Sequence, residues 1–154
     1  MHSQRRNILS LDKDKGPHKL TRLSIVNTNA RSLRPKLESL LDCMNETDAH
    51  IAIVTESWLK DGAELDGLVQ DLELGEGVGI LCRNRKPGMN GVAYGGVALL
   101  WKIGQVSFRR VALANQEDFE VLAAVGTVPG QRRKLIVIAC YLPCLLYTSD
   151  AADE

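Results

Sequence analysis

Several common chemistries are hard to build from what this chain carries. It has only three histidines in 154 residues, at 2, 18 and 50, and none stands near a cysteine at ligand spacing. Its four cysteines, at 43, 82, 140 and 144, form no CxxC pair, which argues against a zinc site. Cys43, Cys82 and Cys140 stand in apolar surroundings and are expected to be buried thiols. Neither sign of charge is in excess: 19 basic residues face 19 acidic ones, so composition makes no electrostatic case for a nucleic-acid partner. No apolar run approaches the roughly 20 residues of a membrane span. No charged start, apolar middle and cleavage site open the chain, so a reducing intracellular setting is the default.

What remains is the composition of an ordinary globular domain with room for one core. Basic side chains gather at Arg5, Arg6, Lys13, Lys15, Lys19 and Arg22, at Arg83, Arg85 and Lys86, at Arg109 and Arg110, and from Arg132 to Lys134. These read first as solvated ends and turns. Residues 1–19 are polar, mixed in charge and broken by Gly16 and Pro17, and are expected to form a mobile leader.

Order is expected from about Leu20. A first strand around Leu23 and Ile25 ends in Asn27, Thr28 and Asn29. A helix follows, with Pro35 in its first turn and Leu37, Leu40, Leu41 and Met44 on one buried face. Ile51 to Val54, short and rich in β-branched residues, reads as a strand covered on both faces. Strand, helix and strand make a parallel crossover, so Asn29 and Glu56 are expected at the same edge of one sheet. Asp61 to Leu74 reads as loop with one short helix. From Gly77 onward come strands: GVGILC, Gly95–Lys102, Ser107–Leu113, Phe119–Val128 and Lys134–Tyr141, with Pro129 and Gly130 turning a hairpin between the last two. A βαβ opening followed by an antiparallel meander indicates a sandwich with helices outside.

The chemistry converges on HIAIVTESWL, His50 to Leu59. A carboxylate delivered to the end of a fully buried strand must be paired, hydrated or metal-bound, and catalytic groups in α/β folds sit where such strands end. Taken alone, Glu56 also has a reading as a capping or surface carboxylate, with the metal role favoured. Asn29 alone is more often a turn or helix-capping residue, and Asn27 is assigned to turn structure. Tyr141 reads as a core or edge aromatic. Trp58 and Trp101 read as packing residues rather than base-stacking platforms, and His50 as a structural imidazole at a strand start.

Four motifs in order resemble the endonuclease/exonuclease/phosphatase superfamily, and within it the endonuclease domain of non-LTR retrotransposons. NARSL, Asn29 to Leu33, is similar to the motif whose Asn helps organise metal and phosphate. IVTESWL resembles the motif whose Glu binds the divalent cation, here Glu56. YGGVALLWK, Tyr94 to Lys102, resembles a glycine-rich structural strand, and ACYLP, Ala139 to Pro143, a strand end whose Tyr contacts the scissile phosphate, here Tyr141. The resemblance implies an α/β (α+β) fold, the first half of a four-layered DNase I-like sandwich with a mixed, mostly antiparallel sheet. It also implies Mg²⁺ or Mn²⁺ as cofactor, with Glu56 and Asn29 as its ligands, and Asn29, Glu56 and Tyr141 as the catalytic set. DNA is the implied partner, and nuclear action follows only from that substrate. A hard cation that keeps waters and substrate phosphate as ligands needs few protein oxygens, so one Glu can anchor it.

The GDFN-like and SDH-like motifs that complete such a site in the family do not occur, and none of the three histidines matches the catalytic one. The last residues, CLLYTSDAADE, resemble a translated sequencing adapter, so residues 20–143 are expected to be a truncated domain and 144–154 a tail foreign to it. The expected function is therefore that of an inactive fragment of a metal-dependent DNA endonuclease. The alternatives are another phosphoesterase of the same fold, a phosphatase or lipid phosphodiesterase, or a non-catalytic interaction module. Half a sandwich is further expected to expose the inner face of its sheet and to fold marginally.

Overall fold

In the computed structural model, the described residues are 7–10, 22–84, 94–113 and 120–142. They form a mixed α+β sandwich. A five-stranded sheet runs in the order β1 (Asn7–Ser10), β2 (Arg22–Asn29), β3 (Ile51–Thr55), β5 (Val97–Lys102), β4 (Val78–Arg83). Only β2 and β3 are parallel in it. A three-stranded antiparallel sheet runs β6 (Ser107–Val111), β7 (Glu120–Thr127), β8 (Leu135–Tyr141). Helices α1 (Leu37–Glu46) and α2 (Ala63–Asp71) lie between β2 and β3 and between β3 and β4 in the chain.

The alternation of side chains along each strand sorts the core into two layers. On one face of the large sheet Val26, Ala52, Val54, Ala98, Leu100 and Ile80 pack with Leu40 and Met44 of α1 and Leu68 of α2. On the other face Leu23, Ile51, Val97, Leu99 and Trp101 meet Leu122 and Ala124 of β7 and Val137 and Ala139 of β8. β3 and β5 have apolar residues on both faces, which is why they read as unbroken apolar runs and why they occupy the middle of the sheet.

Three expectations are corrected here. The strands after Gly77 do not form one meander: β5, buried from Val97 to Trp101, inserts between β3 and β4, while the polar β6 takes an edge of the second sheet. The inner face of the large sheet is not left open, because β6, β7 and β8 of the same chain cover it. The exposed apolar residues of strands instead lie on the outer side of β8, where Ile136 and Ile138 are 68% and 63% exposed. The expected leader contains a strand, since Asn7–Ser10 pairs antiparallel with β2. The rest of residues 1–19, and all of 144–154, lie outside the described residues.

Smaller corrections follow from the same alternation. Asn27 is within β2 and opposite Ile53 rather than in a turn. Cys43 and Cys82 are half-buried, and burial pushes the Cys82 thiol up. Cys140, between the inward Ala139 and Tyr141, is exposed.

The two sheets are keyed together by aromatics over glycines. Trp101 lies against Gly79 on the neighbouring strand, Phe108 against Gly126, and the two rings meet edge to face at 5.5 Å. A methyl group on Gly79 would run into the Trp101 indole. Gly79→Ala is therefore expected to destabilise the chain by about 1–3 kcal/mol through overpacking, seen as a lowered denaturation midpoint with unchanged denaturant slope.

His50 is 6% exposed and accepts the Ser24 N–H at Nδ1, 3.2 Å away, so it is a structural group, as its position before β3 implied. Burial lowers its pKa, Asp48 opposes this, and Lys102 adds to it. The folded state thus resists the proton that the unfolded chain accepts at about pH 6.5. Stability is full above that pH and is lost as pH falls below it. In His50→Gln, the fall in melting temperature between pH 7.5 and pH 5 is expected to be shallower than in the wild type.

Candidate metal and phosphate site

Parallel strands end on the same side, and β2 and β3 end in step, with Asn29 opposite Thr55. Their hydrogen-bond ladder does not stop there. Ala30 N–H donates to Thr55 O at 2.9 Å, Ser32 N–H to Glu56 O at 3.0 Å and Leu33 N–H to Ser57 O at 2.9 Å. On the other flank, Ser57 N–H donates to Gly96 O at 3.2 Å and Trp58 N–H to Gly95 O at 2.9 Å. Two loops are thereby stitched to each other and to the chain entering β5.

This stitching holds an unusual backbone. Among the described residues, five that are not glycine have positive φ, and four of them are here: Arg31 at 45°, Ser32 at 84°, Glu56 at 52° and Trp58 at 51°. Each such residue costs on the order of 1–3 kcal/mol, and such conformations cluster where function needs them.

The result is a carboxylate held by two donors on one oxygen. Asn29 Nδ2 and Tyr141 Oη both donate to Glu56 Oε1, each at 2.9 Å. A carboxylate only accepts, so the Asn29 amide must present its NH₂ to Glu56. Asn29 Oδ1 is then left uncommitted to that contact. Glu56 Oε2 has no hydrogen bond among the described residues. Two hard oxygens, Glu56 Oε2 and Asn29 Oδ1, fit a small divalent cation that keeps most of its waters. Among the described residues no three His, Cys, Asp or Glu groups cluster, so a protein-only cage for zinc or calcium is not built there.

The three expected residues, Asn29, Glu56 and Tyr141, are thus brought together from positions as much as 112 residues apart (141 − 29). Reading the sequence missed the residues behind them. Glu120, the first residue of β7, is 7% exposed, and its Oε2 accepts the Gly96 N–H. The available signal was the one used for Glu56: a carboxylate at the end of an apolar strand. Ser57 is 1% exposed and lies against Gly96.

The surroundings are tied as well. Lys36 Nζ donates to Ala30 O. Arg34 is engaged by Glu64, with Nε 2.8 Å from its carboxylate and Nη2 3.0 Å from its carbonyl oxygen. Asn84 Nδ2 donates to Asp61 Oδ1 at 2.7 Å. Trp58 packs edge to face on Tyr94 at 5.0 Å, in keeping with a packing role.

No protein-family model matches the chain, and no curated protein matches it. Among solved structures, the chain is similar to the 3′ phosphatase NExo from Neisseria bound to a product DNA hairpin, at 24% identity and a TM-score of 0.49. The match covers 76% of this chain and 40% of the Neisseria chain. That likeness is too slight to define a site, whose chemistry follows from the residues above. No helix among the described residues is long and apolar enough to cross a membrane.

Removing one of the two donors on Glu56 should loosen a bound cation without disturbing the fold. Tyr141→Phe and Asn29→Ala are expected to weaken Mn²⁺ binding by about 10–100-fold, measured by electron paramagnetic resonance titration. Wild-type affinity in both variants would show that these donors do not orient the carboxylate.

Proposed function

We propose that the intact parent of this chain is a divalent-metal-dependent phosphodiesterase of the endonuclease/exonuclease/phosphatase superfamily with a DNase I-like fold. More narrowly, we take it to be the DNA endonuclease of a non-LTR retrotransposon, which nicks a target strand to expose a 3′-hydroxyl for priming reverse transcription. The observation that carries this reading is the convergence of Asn29 and Tyr141 on one oxygen of Glu56, at the shared end of two parallel strands. The NARSL and TESWL motifs support the retroelement branch over other phosphoesterases of the fold.

In this reading Glu56 holds Mg²⁺ or Mn²⁺, with the Asn29 carbonyl oxygen beside it. The cation, when bound, supplies Lewis-acid neutralisation of the charge that gathers on the phosphoryl oxygens. Asn29 and Tyr141 share the work of orienting the carboxylate, and in this reading the Tyr141 hydroxyl also meets a phosphate oxygen. The exposed Arg31 follows Asn29 closely enough to meet a DNA strand, whereas Arg34 is taken up by Glu64.

Incision also needs a group to take a proton from water and one to stabilise the departing oxygen. His50 cannot serve, since it is buried at the opposite end of β3, on the order of 17 Å away by strand length. The described residues are therefore proposed to supply the cation-holding part of the site and not the groups that move protons.

The test is incision of supercoiled plasmid by the intact parent. Mg²⁺-dependent nicking that leaves a 3′-hydroxyl, and that falls about 100-fold or more in Glu56→Gln, is the expected result. Release of phosphate from phosphomonoesters with the plasmid left intact would move the assignment to a phosphatase. No affinity for divalent cations in the parent would leave a non-catalytic interaction module.

A further inference from the structure

We infer that Glu120 is a positioning residue for Glu56, acting through the Gly95–Gly96 backbone rather than touching cation or substrate. The inference rests on the reading of Glu56 as the cation ligand.

Glu120 is nine-tenths buried at the head of β7. A carboxylate taken out of water is costly unless its oxygens are engaged, and this one accepts the Gly96 N–H. A buried hydrogen bond is costly to leave unmade, so the contact anchors the peptide it holds. Gly95 and Gly96 have φ of 111° and 83°, and both approach polar side chains closely. A Cβ on Gly95 would fall 2.5 Å from Glu120 Oε1, and one on Gly96 would fall 2.7 Å from Ser57 Oγ. Only glycine fits either place.

The carbonyl oxygens of the same two residues face the two residues that follow Glu56. Gly96 O accepts the Ser57 N–H and Gly95 O accepts the Trp58 N–H, so the two residues after Glu56 hang from the segment that Glu120 grips. Glu56 itself has φ of 52°, a conformation that persists only when its surroundings impose it. Glu120 is also the cross-strand partner of Tyr141. One buried carboxylate thus bears on both the loop that presents Glu56 and the strand that presents its hydroxyl donor.

The experiment uses the whole 154-residue chain with Glu120→Ala, Glu120→Gln, Glu120→Asp and Glu56→Ala. Amide exchange by nuclear magnetic resonance reads the loop directly. In Glu120→Ala, exchange at Ser57 and Trp58 should accelerate at least about tenfold while Ala52 and Val54 in β3 keep their protection. Mn²⁺ affinity should fall about 10–100-fold in the same variant. Glu120→Gln, whose amide oxygen can still accept the Gly96 N–H, should stay within about threefold of wild type.

Unchanged exchange at Ser57 and Trp58 in a folded Glu120→Ala overturns the inference. If that variant does not fold, Glu120→Asp decides in the same way, because its shorter side chain withdraws from the Gly96 N–H while leaving the glycines as they are. Undiminished Mn²⁺ binding in Glu56→Ala would instead sink the cation reading of Glu56, and the exchange data would still decide whether Glu120 holds the loop.

Discussion

Two parallel neighbours that end in step leave their next residues side by side, and β2 and β3 end with Asn29 opposite Thr55. Everything at the site depends on that register. A slip of one residue would send Asn29 to the helix-covered face and separate it from Glu56. The register is secured by burial on both sides: Ile51 faces the second sheet while Ala52 and Val54 face the helices, and all three are 0% exposed. The pairing that buries the core is therefore the same pairing that assembles the carboxylate and its amide donor.

The second sheet does more than cover an apolar face. Each of its strands sends one polar contact across to the rim of the large sheet. Tyr141 of β8 reaches Glu56, Glu120 of β7 takes the Gly96 N–H, and Arg110 of β6 donates to Cys82 O. These contacts lie at the end of the sandwich where the left-handed residues Arg31, Ser32, Glu56 and Trp58 cluster. Strain in the loops is thus offset by hydrogen bonds from strands, which are stiffer than loops and place a side chain more precisely.

Asn29 Nδ2 and Tyr141 Oη, both donating to one oxygen of Glu56, fix the orientation of the carboxylate, as the proposed role of cation ligand requires. Under the proposed function, this arrangement is how a chain with no net charge would address a polyanion. The positive charge that meets phosphate need not come from the protein's own composition, because a bound metal ion is often the largest local charge in such a site. Neutral composition therefore weighs less against a nucleic-acid substrate than it would for a protein that binds DNA by basic residues alone.

Much of the fold was legible in the chain. The apolar period of Leu37, Leu40, Leu41 and Met44 marked α1, and the runs from Ile51 and from Val97 marked strands buried on both faces. The position of Glu56 at a strand end, beside Asn29, followed from the parallel crossover. These features are local or depend on one neighbouring element, so side-chain periodicity and chain connectivity determine them. The tertiary structure alone decided that β5 lies between β3 and β4, that β6 to β8 form a separate sheet, that Asn7–Ser10 joins an edge, and that Cys140 faces outward. It alone showed Glu120 gripping the glycines behind the site and Tyr141 sharing an oxygen with Asn29. Strand order and cross-sheet contacts are set by which faces find mates in three dimensions, and residues far apart in the chain carry no local pattern that announces the partner they will meet.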